Sequence, residues 1–153
     1  NLYLKQNLLM EVPKKNQTFK ALNNDKNLLL KSKHFLLELY RCDFVKLNDE
    51  SFLRCTLNNA AKLANAKVLN LISNKFQPQG VTAIALLAES HLSIHTWPES
   101  QYSAVDIFTC GQNMKPEISC KYLIEALMAK EHLLRVINRN PPIAYHNANY
   151  KTN

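Results

Sequence analysis

Residues 81–110 read VTAIALLAESHLSIHTWPESQYSAVDIFTC, and two period-two runs inside this stretch decide the fold. In HLSIHTW, Leu92 and Ile94 point one way while His91, Ser93, His95 and Trp97 point the other, because successive side chains alternate across a strand. In YSAVDIFTC, Val105 and Ile107 oppose a set containing Tyr102, Asp106, Phe108 and Cys110. Each run has one apolar face for a core and one face mixing imidazole, carboxylate, aromatic and thiol groups. That second face is too apolar to stand bare and too polar for plain core. It suits an active site covered by a partner subunit.

Working outward, VTAIALLA and KVLNLIS read as two further strands, with turns at QPQG and PESQ. Upstream, HFLLELY is an apolar run compatible with a buried strand. Asn48 or Asp49 then caps a helix running through SFLRCTLNNAAKLAN, whose Phe52, Leu53, Leu57, Ala60, Ala61 and Ala64 fall at helical spacing. Downstream, Pro116 opens the helix EISCKYLIEALMAK, and HLLRVI is the last strand. The order strand, helix, several strands, helix, strand predicts an α+β fold: a two-layer α/β sandwich, mainly antiparallel sheet with two helices on one face.

A length of 153 residues with 46% hydrophobic composition supports one domain core. Residues 1–30, rich in Asn, Lys and Gln, read as a loosely ordered N-terminal extension, residues 31–142 as the main domain and 143–153 as a tail.

The formal charge of +7 would suit nucleic acid if the bases were clustered, but the lysines are spread along the chain without aromatic interleaving. No nucleic-acid partner is expected. The chain has neither an apolar stretch long enough to cross a bilayer nor a leader-like N-terminus, which points away from a membrane and toward a cytoplasmic location. Cys42, Cys55, Cys110 and Cys120 lack the spacing of a zinc site, so no metal is expected; Cys42, Cys55 and Cys120 read as small buried hydrophobes.

The segment AESHLSIHTWPESQYSAVDIFTCG, residues 88–111, resembles the signature of bacterial S-adenosylmethionine decarboxylases of the short, homodimeric, pyruvoyl-dependent class. SKHFLLELYRCD (32–43) and KFQPQGV (75–81) extend the resemblance over roughly residues 33–142. It implies a proenzyme cut between Glu89 and Ser90. The Ser90 hydroxyl attacks the Glu89 carbonyl, the amide becomes an ester, and elimination and hydrolysis leave a pyruvoyl group that forms a Schiff base with the substrate amine. A decarboxylase needs such a carbonyl because no side chain offers an electron sink for the carbanion.

By the same resemblance, His95 assists self-processing, and imidazole suits a proton transfer near neutral pH. Cys110 returns a proton to the substrate carbon. Phe76 stacks on adenine and Glu99 accepts hydrogen bonds from the ribose diol, which fits the needs of a nucleoside. Trp97, Thr82 and Glu38 complete the substrate-side set; Trp97 either packs in the core or at an interface or touches ligand, and Glu38 is a carboxylate in an apolar run that needs a purpose or partner. The resemblance also implies a homodimer, with Ser90 and Cys110 of one protomer facing the imidazole, aromatic and ribose-binding residues of the other.

Three positions depart from the pattern. Thr82 replaces a serine that helps hold the ester, adding a methyl group and stiffening χ1. Gln101 replaces glycine, which costs roughly 1 kcal/mol if that position needs a positive φ, and Ser103 replaces alanine. The readings that stay open are decarboxylation of S-adenosylmethionine for spermidine synthesis, decarboxylation of arginine or ornithine by the same mechanism, and a non-processing regulatory homologue.

Overall fold

Alternating burial starts at Ser32 and sets the first strand of the sheet. The computed structural model describes residues 32–110 and 113–139; the expected N-terminal extension (1–30) and tail (143–153) lie outside them. In β1 (Ser32–Tyr40), Phe35, Leu37 and Leu39 are buried, while His34, Leu36 and Glu38 lie on the opposite face. The apolar run is therefore buried on one side only. Glu38 owes its tolerance to that alternation.

The remaining strands are β2 (Val68–Lys75), β3 (Val81–Leu87), β4 (Ser90–Trp97), β5 (Tyr102–Cys110) and β6 (Glu131–Arg139). They form one six-stranded sheet in the order β2-β3-β4-β5-β1-β6, and every adjacent pair is antiparallel. Consecutive hairpins build β2 to β5, β1 returns to the far side of β5, and β6 closes the order as an exposed edge.

Helices cover one face. Besides the short α1 (Phe44–Leu47), they are α2 (Glu50–Leu63) and α3 (Pro116–Ala126). Asp49 is the N-cap of α2, accepting from the Phe52 amide at 2.9 Å, a contact of about 1 kcal/mol. Leu53, Leu57, Ala60 and Ala61 of α2 and Cys120 and Leu123 of α3 meet the inward side chains of β1, β3, β4 and β5. Phe52, expected on the buried face, is only partly covered. The Ser119 hydroxyl donates to the Ala60 carbonyl at 2.8 Å and ties α3 to α2. The expected sandwich is thus present, with the unforeseen α1, whose Asp43 cap accepts from the Lys46 amide at 2.9 Å.

One expectation needs correction. Cys55 is exposed, because its place on α2 turns it away from the sheet, whereas Cys42 and Cys120 are buried. HLLRVI forms the last strand as expected, and β6 is exposed along its whole length, since among the described residues no helix lies over it.

The uncovered face carries Ile72, Ile84, Leu86, Trp97 and Tyr40, all exposed, interleaved with His34, Asp106, His91 and His95.

Candidate active site

β3 and β4 are joined by a two-residue loop, Ala88 and Glu89, since Leu87 pairs with Ser90. Tight hairpin loops usually need a positive φ, which glycine or asparagine supplies. Neither is present, and the positive φ falls on Ser90 at +152°. A non-glycine residue held there stores roughly 1–3 kcal/mol of strain.

Glu89 is held at both ends. Its carbonyl oxygen accepts from the Cys110 amide at 3.1 Å, and its carboxylate accepts from the Lys67 amide at 3.1 Å. The first bond draws electron density from the carbonyl next to the Ser90 hydroxyl. Ser90 Oγ lies 3.4 Å from His91 Nδ1. A hydroxyl, a polarised carbonyl and a strained intervening backbone are what an amide-to-ester shift requires, so these residues fit the formation of a carbonyl group from Ser90.

Cys110 ends β5 directly opposite Ser32, whose hydroxyl donates to Cys110 Sγ at 3.3 Å. The sulfur is part-buried, beside the hairpin tip that its own amide helps to fix.

The second cluster lies further along the sheet. Thr82 and His95 are cross-strand partners, and Thr82 Oγ1 sits 2.9 Å from His95 Nδ1. Trp97 is 42% exposed, with its ring centroid 5.2 Å from Tyr102 and 6.5 Å from His95. Tyr40 stacks on Tyr102 at 5.5 Å. The Tyr102 hydroxyl donates to Glu38, which gives that carboxylate a partner on the open face. Burial, reinforced by the Glu38 carboxylate, raises the Tyr102 pKa, so the phenol stays a donor.

Phe76 follows β2 and is 49% exposed in the loop between β2 and β3. Its amide donates to the Gly80 carbonyl at 2.8 Å. Gly80 has φ +99°, and a Cβ there would stand 3.0 Å from the Thr96 carbonyl oxygen, so only glycine closes this loop unstrained. Glu99 lies in a single 3₁₀ turn, Pro98–Ser100, and accepts from Gln79 Nε2 at 3.0 Å. The Gln79 bond links the two loops that carry Phe76 and Glu99. Gln101 ends that turn at φ +50°, the left-handed conformation expected if glycine normally stands there.

The sequence-predicted residues therefore divide into two groups. Glu89, Ser90 and Cys110 meet at one end of the sheet; Thr82, His95, Trp97, Glu38, Phe76 and Glu99 gather toward the other. His95 is five residues along β4 from Ser90, a separation of about 16 Å at strand rise. Sequence reasoning placed His91 and Tyr102 on the mixed face without giving either a role, and it did not single out Ser32. His91 directly follows Ser90 and was legible as a neighbour; the contacts of Ser32 with Cys110 and of Tyr102 with Glu38 arise only through the pairing of β1 with β5. A surface hollow of about 460 Å³ bordered by Phe44, Asn48, Asp49 and Lys75 touches none of the candidate residues.

Comparison with known proteins bears on this arrangement. The model of the family described as S-adenosylmethionine decarboxylase matches residues 33–140. The S-adenosylmethionine decarboxylase proenzyme of Prochlorococcus marinus is 60% identical over 112 residues, covering 73% of this chain and 90% of that protein. Proenzyme 2 of Bacillus anthracis is 44% identical over 106 residues, covering 69% and 86%. The crystal structure of the adenosylmethionine decarboxylase from Aquifex aeolicus superimposes with a TM-score of 0.71 at 35% identity, over 78% of this chain and 99% of that one.

Proposed function

The chain belongs to the S-adenosylmethionine decarboxylase family, and on that premise we propose that it is a proenzyme that cuts itself between Glu89 and Ser90 and then decarboxylates S-adenosylmethionine to the aminopropyl donor for spermidine synthesis. One observation carries the processing step: the Cys110 amide donates to the Glu89 carbonyl beside a strained Ser90. The scissile bond is polarised where the nucleophile stands.

A pyruvoyl group made from Ser90 supplies an electrophilic carbonyl that takes the substrate amine and accepts the electrons left when carbon dioxide departs. The chain's own residues do the rest. Cys110 Sγ holds a proton for the substrate carbon, with the Ser32 hydroxyl directed at the sulfur to meet the negative charge left behind. Thr82 orients the His95 ring, which moves a proton during processing. Phe76 offers a π-face for adenine and Glu99 two acceptors for the ribose diol; Trp97 borders that subsite, and Glu38 holds Tyr102 in place beneath it.

The roughly 16 Å between Ser90 and His95 along one strand supports a homodimer. In it, the open sheet faces of two protomers pack together, and the Thr82–His95 pair of one reaches the hairpin tip of the other. The exposed Ile84, Leu86 and Trp97 then become interface. The catalytic domain spans residues 31–142. Among the described residues no helix is long and apolar enough to cross a membrane. The four free cysteines fit the reducing cytoplasm that we assign to the protein.

Intact-mass measurement of purified protein tests the reading. Two fragments are expected, the C-terminal one blocked by pyruvoyl; a single unmodified chain overturns it. Assays of carbon dioxide release from S-adenosylmethionine, arginine and ornithine then test the substrate. Phe76 and Glu99 support the nucleoside, because a linear amino acid needs neither stacking nor diol recognition. Release from arginine or ornithine alone would reverse that choice.

A further inference from the structure

His91, rather than His95, is the imidazole within reach of the Ser90 hydroxyl in the same protomer. Ser90 Oγ has His91 Nδ1 at 3.4 Å within its own protomer, whereas His95 lies about 16 Å away along the same strand. The His91 ring is fixed from two sides. Its centroid is 5.8 Å from that of Phe108, at 49°, and 6.4 Å from that of His34 in an edge-on arrangement. His34 in turn has Nδ1 at 3.5 Å from Arg139 Nη1, while its Nε2 lies 3.4 Å from Asp106 Oδ1 without the geometry of a hydrogen bond.

We propose that His91 is the base that takes the Ser90 hydroxyl proton in the first step of self-processing, and that this step is completed within one protomer. The proposal rests on cleavage at Glu89–Ser90 and adds a catalytic residue to it.

The step balances without a co-reactant. The Ser90 Oγ–H bond breaks and its proton passes to His91 Nδ1, with the ring's other nitrogen carrying the resting proton. Oγ bonds to the Glu89 carbonyl carbon, and the negative charge on the carbonyl oxygen is met by the Cys110 amide. The bond from that carbon to the Ser90 nitrogen then breaks as His91 returns the proton to the nitrogen. An amide has become an ester and the chain is otherwise unchanged. A contact of 3.4 Å before reaction is ordinary for such a base, because catalytic hydrogen bonds tighten as the nucleophile moves onto its carbon. His95, with Thr82, is left for the later elimination, when the Ser90 α-proton is removed and the Glu89 carboxylate departs.

The test is a time course of cleavage after cell-free synthesis of the full chain. His91→Phe keeps a ring against Phe108 and His34 but cannot accept a proton, and His91→Gln keeps a polar group; folding of each is followed by circular dichroism. Both folded variants are expected to process about 100-fold or more slowly than wild type, the usual contribution of a positioned base. Hydroxylamine, which cuts esters but leaves amides, resolves the step. The His95→Ala precursor should yield fragments cut at Glu89, and His91→Phe in that background should not. Processing of either folded His91 variant within about threefold of wild type overturns the proposal, as does hydroxylamine-sensitive ester in His91→Phe at the His95→Ala level. If wild type itself stays uncleaved, the failure belongs to the underlying reading instead.

Discussion

Thr82 Oγ1 lies 2.9 Å from His95 Nδ1, and the two residues face each other across β3 and β4. The bond fixes the tilt of the imidazole on a face where its other neighbour is the Trp97 ring. Thr82→Val keeps the branched shape and removes the hydroxyl. A hydrogen bond of this kind contributes about 1 kcal/mol, so cleavage is expected to slow about fivefold. Thr82→Ser restores the wild-type rate in the same time course; equal rates for the valine variant and wild type would remove Thr82 from processing.

Phe76 and Glu99 are exposed in the protomer, so their removal acts on substrate more than on folding. Phe76→Ala loses a stacking contact of about 0.5–1.5 kcal/mol and should raise KM for S-adenosylmethionine roughly three- to tenfold. Glu99→Gln replaces a charged acceptor by an amide and should raise KM by about tenfold or more. Neither change should alter cleavage at Glu89–Ser90, which mass spectrometry checks on the same preparations.

Gln101 holds φ +50° with an exposed side chain, while its backbone does the bonding: its amide donates to Pro98 and its carbonyl accepts from the Cys42 amide at 2.9 Å. Glycine would keep both bonds and relieve the left-handed strain. Gln101→Gly is expected to stabilise the protein by up to about 1 kcal/mol, seen as a melting temperature a few degrees higher. An unchanged or lowered melting temperature would show that the turn carries no such strain.

Burial pushes the Cys42 thiol up to about 11 and the Cys120 thiol up to about 12, the latter helped by the Glu117 carboxylate. A raised folded pKa means that the folded chain keeps protons that the unfolded chain releases above pH 9.0, the ordinary thiol value. The stabilising contribution is therefore complete below pH 9 and is lost as pH rises from 9 toward 11 and 12. Urea midpoints measured from pH 8 to 11 should fall, and fall less in Cys120→Ala. A parallel decline in that variant would exclude the thiol as the cause.

How much of this was legible beforehand depends on how local each feature is. The two faces of β4 and β5 follow from alternation alone, so the mixed face with His91, His95, Asp106 and Phe108 was readable in order. β1 misled because Leu36 and Leu37 are both apolar although only Leu37 is buried; the apolar residue on the open face blurred the period. α1 spans four residues, too few to show a helical repeat. The pairing of β1 with both β5 and β6 is a long-range choice that no segment announces, and with it the meeting of Ser32 and Cys110. The division of the motif into two ends of the sheet follows from strand rise, once Ser90 and His95 are known to share β4.

Cys110 serves the site through two different atoms. Its backbone amide donates to the Glu89 carbonyl, while its sulfur accepts from Ser32. Replacing the side chain leaves the amide in place, so Cys110→Ala should still cleave at Glu89–Ser90 to a useful extent. Turnover of S-adenosylmethionine should fall about 100-fold or more, as expected for loss of a positioned acid. Ser32→Ala removes only the donor to the sulfur and should lower kcat about fivefold at unchanged KM, in keeping with one lost hydrogen bond. Single-turnover rates with the processed protein separate the two effects from cleavage. Normal turnover by Cys110→Ala would take the acid role from the thiol, whereas lost cleavage in the same variant would mean that the sulfur, and not the amide, governs the hairpin tip.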